Sequence, residues 1–242
     1  MENFIDTPTS QTWERVYGLY DKVLIVKSKK MKGDKEKQLK DLDYWYQEEL
    51  PVAIKGRKER HVTHEELCKL MKWKLMRGKF RPRLEQMVQS NSEEDVKAAS
   101  LKGFKELPNL SNAIKALTVL KAIGPATASA VLAAGAPDKA AFMADESMLA
   151  IPELAPLQYT LPFYNQYMDY VTTITKKLNK DQEGDRIKWT PHKVELTLWT
   201  YQMAKTLCPE LLPDAEDDST TQKRKKVSEN GKKDDKTKKL KT

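Results

Sequence analysis

Residues 113–132 read AIKALTVLKAIGPATASAVL, and their pattern decides the fold. Ala113, Ile114, Ala116, Leu117 and Leu120 recur at helical spacing. Gly124 and Pro125 then interrupt the run, and Ala126, Thr127, Ala128, Ser129 and Ala130 open a second helix of small residues. Gly124 is expected to supply the positive φ of a sharp turn, and Pro125 sits where its missing N–H is harmless. Ile123 is expected to be buried between the two helices. The alanines allow neighbouring backbones to come close. Such a turn aims amide groups outward at a helix N-terminus, which suits a phosphate oxygen.

Outward from this hairpin the chain reads as mostly helical. Thr63 with Glu66 has the capping-box spacing and predicts a helix over residues 64–76, broken by Gly78 and Pro82. Ser92, followed by Glu93, Glu94 and Asp95, begins another. Further helices are expected over 111–121, 127–134, 161–178 and 191–207, the last entered through Thr190 and Pro191. Residues 22–26 are the one strand-like rival, and 27–40 form a charged stretch expected to be a loop or frayed helix end. The fold class is mainly α.

Of the 242 residues, 43 are Lys or Arg and 35 are Asp or Glu, a net charge of +8. Residues 214–242 carry ten and seven of these, so a net +5 remains on residues 1–213. The expected organisation is therefore one helical domain over 1–213 and a charged, disordered tail over 214–242, where too few apolar residues remain to offset ordering entropy. Lys223, Arg224, Lys225 and Lys226 form a basic run that reads as a nuclear localisation signal or as part of a merely solvating tail. The basic domain points to a polyanionic partner. No apolar run is long enough for a membrane span, and Met1–Asp6 lacks the basic-then-apolar order of a secretory signal. Two cysteines, Cys68 and Cys208, make neither a disulfide framework nor a zinc site and suit a reducing compartment.

Beyond the second helix, residues 135–148 read GAPDKAAFMADESM. A hairpin over 113–134, a Gly/Pro loop over 135–148 and an apolar-flanked Asp145 nineteen residues after Ala126 together resemble the helix-hairpin-helix, Gly/Pro-Asp superfamily of base-excision DNA glycosylases. The resemblance covers residues 113–150. It implies a glycosylase-like helical fold, a nuclear location and double-stranded DNA as partner, damaged or abasic DNA included. It also implies contacts to DNA from Ile123, Gly124, Pro125, Ala126 and Thr127, and Asp145 as the catalytic carboxylate of a monofunctional enzyme. Such a carboxylate stabilises the positive charge that develops on the sugar and orients a water. The base must first leave the stack, to be held by groups such as Phe142, Met143, Tyr159, Tyr164 and Tyr167.

Departures from the family pattern set limits. The hairpin lysine that serves some relatives as a Schiff-base nucleophile is Ala126 here, so a lyase acting from that position is excluded. The usual first glycine of the hairpin is Ala122. Two cysteines cannot hold the four-cysteine cluster of some relatives, and no cofactor is expected. Glu146, with no histidine after it, follows Asp145. The competing role for Asp145 is to cap a helix starting near Glu146. The competing functions are a non-catalytic hairpin module that grips DNA and a helical protein-interaction module.

Residues 72–83, KWKLMRGKFRPR, form the densest basic stretch outside the tail. Arg77, Lys79, Arg81 and Arg83 straddle its turn and are the expected phosphate contacts, the alternative being pairing with Glu85 or Glu93. Trp73 has the spacing of a core residue, and Phe80 is either core or a stacking face. His61 and His64 lack a third ligand, so no metal site is expected. Trp189, Trp199, Tyr201 and Cys68 read as packing residues.

Overall fold

The computed structural model describes residue 5 and residues 9–180 and 187–212. The basic run Lys223–Lys226 and the rest of the tail lie outside them. Twelve α-helices and no strand are found among the described residues. No helix there is long and apolar enough to cross a membrane.

Helix α9, Pro125–Gly135, is the centre of the assembly. Every residue from Thr127 to Ala134 is buried, as expected of a helix apolar on all sides. It is flanked by α4 (Leu50–Gly56), α5 (His64–Arg77), α7 (Glu93–Lys105), α8 (Leu110–Leu117) and α11 (Leu161–Lys180). Its small side chains permit this: Tyr46 Oη reaches the Ala130 carbonyl at 2.8 Å.

Local signals read in the sequence reappear with their physical partners. Thr63 and Glu66 form both halves of the capping box of α5. Ser92 accepts from the Asp95 amide at the start of α7, and Thr190 accepts from the Lys193 amide at the start of α12, Pro191–Leu207. Three expectations change. Residues 22–26 lie inside helix α2, Tyr20–Lys29, because Val23 and Leu24 are buried against the core at helical spacing. The charged stretch shrinks to residues 30–34, since α3 resumes at Lys35 and runs to Tyr44. The first hairpin helix stops at Leu117 rather than 121, because the turn uses residues 118–124.

Helix α1, Ser10–Tyr17, and α2 pack on α12 beside α3. Helix α6, Pro82–Gln89, folds back on α5. A π-helical segment, Trp45–Glu49, joins α3 to α4, and Tyr46 there stacks on Trp73 at 3.5 Å between ring centroids. Short helix α10, Asp145–Leu149, lies against α12.

Candidate functional site

The hairpin turn is built differently from its sequence expectation. Gly124 is extended, with φ −89° and ψ −180°, and the positive φ of 65° falls on Ala122. Gly124 is exposed, and a Cβ there would meet nothing within 4 Å. Pro125 and Ala126 are half-buried, and Ile123 is core. The Thr127 and Ala128 amides both return to the Gly124 carbonyl, and no side chain caps the helix. The open amides at this end are therefore fewer than expected.

From the end of α9 the chain runs through a loop, residues 136–144, exposed at Asp138 and Lys139 and buried over 140–144, where backbone polar groups need partners. Ser129 Oγ accepts from the Met143 amide at 2.9 Å and itself donates to the Ala126 carbonyl. Tyr167 Oη donates to the Phe142 carbonyl and Tyr164 Oη to that of Ala141. Both tyrosines are fully buried by this task, so they do not face a ligand. The loop delivers Asp145 to the first position of α10. Ala144 occupies the cap position, so Asp145 is not the N-cap.

The Asp145 side chain instead faces a cleft of about 300 Å³. Tyr159 Oη donates to Oδ1 at 2.9 Å, and Lys79 Nζ lies 3.3 Å from Oδ2. The carboxylate is 15% exposed and Lys79 65%, so the pair opens to solvent on the lysine side. Burial first, and then the bond to Asp145, raise the Tyr159 hydroxyl, which keeps it a donor. The Arg81 guanidinium lies over the Tyr159 ring at 5.9 Å. Ala122, Gly124, Pro125 and Ala126 line the same cleft, as do Thr127, Phe142 and Met143. The hairpin and the carboxylate that follows it thus share with the distant basic turn one concavity of the size that takes a small ligand.

Arg77 corrects the sequence reading of the basic stretch. It is 1% exposed and cannot present itself to phosphate. Its guanidinium pairs with buried Glu195 through two contacts, 3.0 and 3.4 Å. The rings of Trp199, Trp73, Phe142 and Tyr20 surround it at 4.5–5.8 Å. Burial alone would lower the Arg77 pKa, but Glu195, Tyr20 and Asp43 together more than offset it and the group stays charged. Ser147 Oγ donates to Glu195 Oε1 at 2.7 Å. Asp43 completes the interior cluster, accepting from Tyr20 Oη at 2.9 Å and Trp73 Nε1 at 2.8 Å. Through Ser147, two residues past Asp145, this network sets α10 in register with α5 and α12.

Arg83 is exposed but lies outside the cleft lining, whereas Lys79 and Arg81 are within it. Phe80 is 68% exposed, and Trp73 is core. Cys68 is half-buried, its Sγ 3.7 Å from His64 Nε2. His64 and His61 otherwise contact the Gln89 and Glu59 carbonyls, and no group of three metal-ligating side chains occurs among the described residues. Sequence reasoning missed Asp43 and Glu195. Both sit in stretches that read as ordinary charged helix, and only their burial distinguishes them.

No family model, curated protein or solved structure matches this chain.

Proposed function

We propose that this chain binds duplex DNA and hydrolyses an N-glycosidic bond, with Asp145 as the carboxylate that stabilises the developing sugar cation. The observation that carries this reading is the shared cleft. Asp145 is held in place by Tyr159 and Lys79 in a cleft that the hairpin turn and exposed Arg81 also line. Lys79 and Arg81 offer charge to phosphates flanking an extruded nucleotide, and the exposed Tyr159 ring with half-buried Leu84 and Ala126 offers an apolar surface to its base. A net charge of +5 on residues 1–213 is consistent with a nucleic-acid partner.

A second reading draws support from the same geometry. Both carboxylate oxygens of Asp145 already have partners, which suits a non-catalytic module that uses the cleft only to grip DNA.

Asp145→Asn separates the two. Binding is measured across a salt series with an intact duplex and one holding a stable abasic-site analogue, and base release is assayed on a panel of damaged duplexes. The expected result is salt-dependent binding that prefers the abasic duplex, retained in the variant, with base release lost. Base release that survives the substitution removes Asp145 from the chemistry. Absence of binding at low salt turns the proposal over to the protein-interaction reading.

A further inference from the structure

Of the charged side chains that line the cleft, the reaction above leaves Lys74 unused. Lys74, one turn before the end of α5, lines the same cavity as Asp145 and is half-buried in its wall. Lysines are seldom buried without a carboxylate partner. Among the described residues Lys74 makes no hydrogen bond and no ion pair within 4 Å; Asp145 is committed to Lys79 and Tyr159 instead. Helix α5 ends at Gly78, whose amide returns to the Lys74 carbonyl, and the turn swings Lys79 and Arg81 round to the same cleft. An unpaired amine therefore stands in a partly desolvated site beside two further cations. Desolvation pulls the ammonium below the usual lysine range; the Asp145 carboxylate opposes this and Arg81 adds to it. These are the conditions that make a lysine a nucleophile toward carbonyl carbon.

We propose that the cleft carries a second activity, an abasic-site lyase, in which Lys74 Nζ attacks the aldehyde carbon of the ring-opened sugar. This rests on the DNA reading above, because hydrolysis of the glycosidic bond leaves a deoxyribose whose open form is that aldehyde. The Nζ lone pair adds to C1′, and the carbinolamine loses water to give a protonated imine. Asp145 takes a proton from C2′, and the C–H electron pair passes toward the imine nitrogen as an enamine forms. The enamine expels the phosphate on C3′, which leaves with its C3′–O electron pair and breaks the strand. Water then hydrolyses the imine, freeing Lys74 and an unsaturated aldehyde. No oxidant or reductant is consumed.

The test uses the full chain and a duplex with one abasic aldehyde in one strand, in the presence of sodium borohydride, which reduces the imine to a permanent cross-link. Mass spectrometry of the cross-linked wild-type protein assigns the attached residue without any variant. The expected result is attachment at Lys74. The cross-link is then lost in both Lys74→Gln and Lys74→Arg, the latter keeping the charge without a condensing amine, and kept in Lys55→Gln, an exposed lysine of α4 outside the cleft. Circular dichroism and melting of each variant confirm folding. Attachment scattered over surface lysines overturns the proposal, as does a duplex that binds but never cross-links, with the DNA reading intact. A chain that binds no duplex at all removes the DNA reading and the lyase together.

Discussion

At the scale of single residues, the turn of the hairpin is the place where side-chain chemistry and backbone disagree. Ala122 holds φ 65°, a region in which the Cβ of an L-residue crowds the following carbonyl oxygen. Gly124, two residues on, has the freedom to adopt that conformation and does not use it. Ala122→Gly is expected to stabilise the fold by about 1 kcal/mol, the relief of strain exceeding the extra freedom given to the unfolded chain. The midpoint of denaturant unfolding measures this, and a fall in stability would mean that the Ala122 methyl makes packing contacts worth more than the strain. Reading the turn from residue types assigns the positive φ to the glycine. Residue type describes what a position tolerates, and the packing of α8 on α9 determines which position must turn.

At the scale of elements, the cleft depends on how closely α9 and the loop after it approach their neighbours. Gly135 ends α9 beneath the Phe104 ring of α7, and a Cβ at that position would collide with the ring edge and press on Ile54. Gly135→Ala is expected to destabilise by about 1–3 kcal/mol through overpacking. Thermal unfolding followed by circular dichroism checks it, and an unchanged melt would show that Phe104 yields freely. Caps and breakers of helices are local, which is why Thr63, Ser92 and Thr190 were legible at once. The roles of Tyr164 and Tyr167 were not. Their hydroxyls satisfy carbonyls of a buried loop, and nothing in their spacing on α11 distinguishes that duty from contact with a ligand.

For the molecule as a whole, the Arg77–Glu195 pair ties α5 to α12 across the core, with Ser147 bringing in α10. Removing one partner strands the other charge in a nearly dry interior. Arg77→Leu or Glu195→Leu alone is expected to cost about 3–5 kcal/mol, and the double substitution to recover most of that loss. Urea unfolding of the three variants forms the cycle that tests it. Additive losses would mean the pair contributes nothing through its mutual interaction. The same network orients the short helix that begins with Asp145. Double variants that regain stability are therefore also a test of whether the cleft shows the DNA affinity proposed for it when only packing holds α10.

The amino-acid sequence by itself determined the helical class and the ends of those helices that carry a cap or a breaker, such as α5, α7 and α12. These depend on periodicity, capping and turn chemistry within a few residues of one another. Only the tertiary structure decided which charges are usable. Arg77 and Lys79 are two residues apart in one basic run, yet one is sealed among aromatic rings and the other reaches Asp145 at the mouth of a cleft. Lys74 reads as one more cation on a helix until the folded chain places it, unpaired, in the same cavity. Burial and partnership arise from segments over a hundred residues apart, such as Arg77 and Glu195. Local pattern carries no record of such distances, because the free energy that selects them belongs to the packed whole.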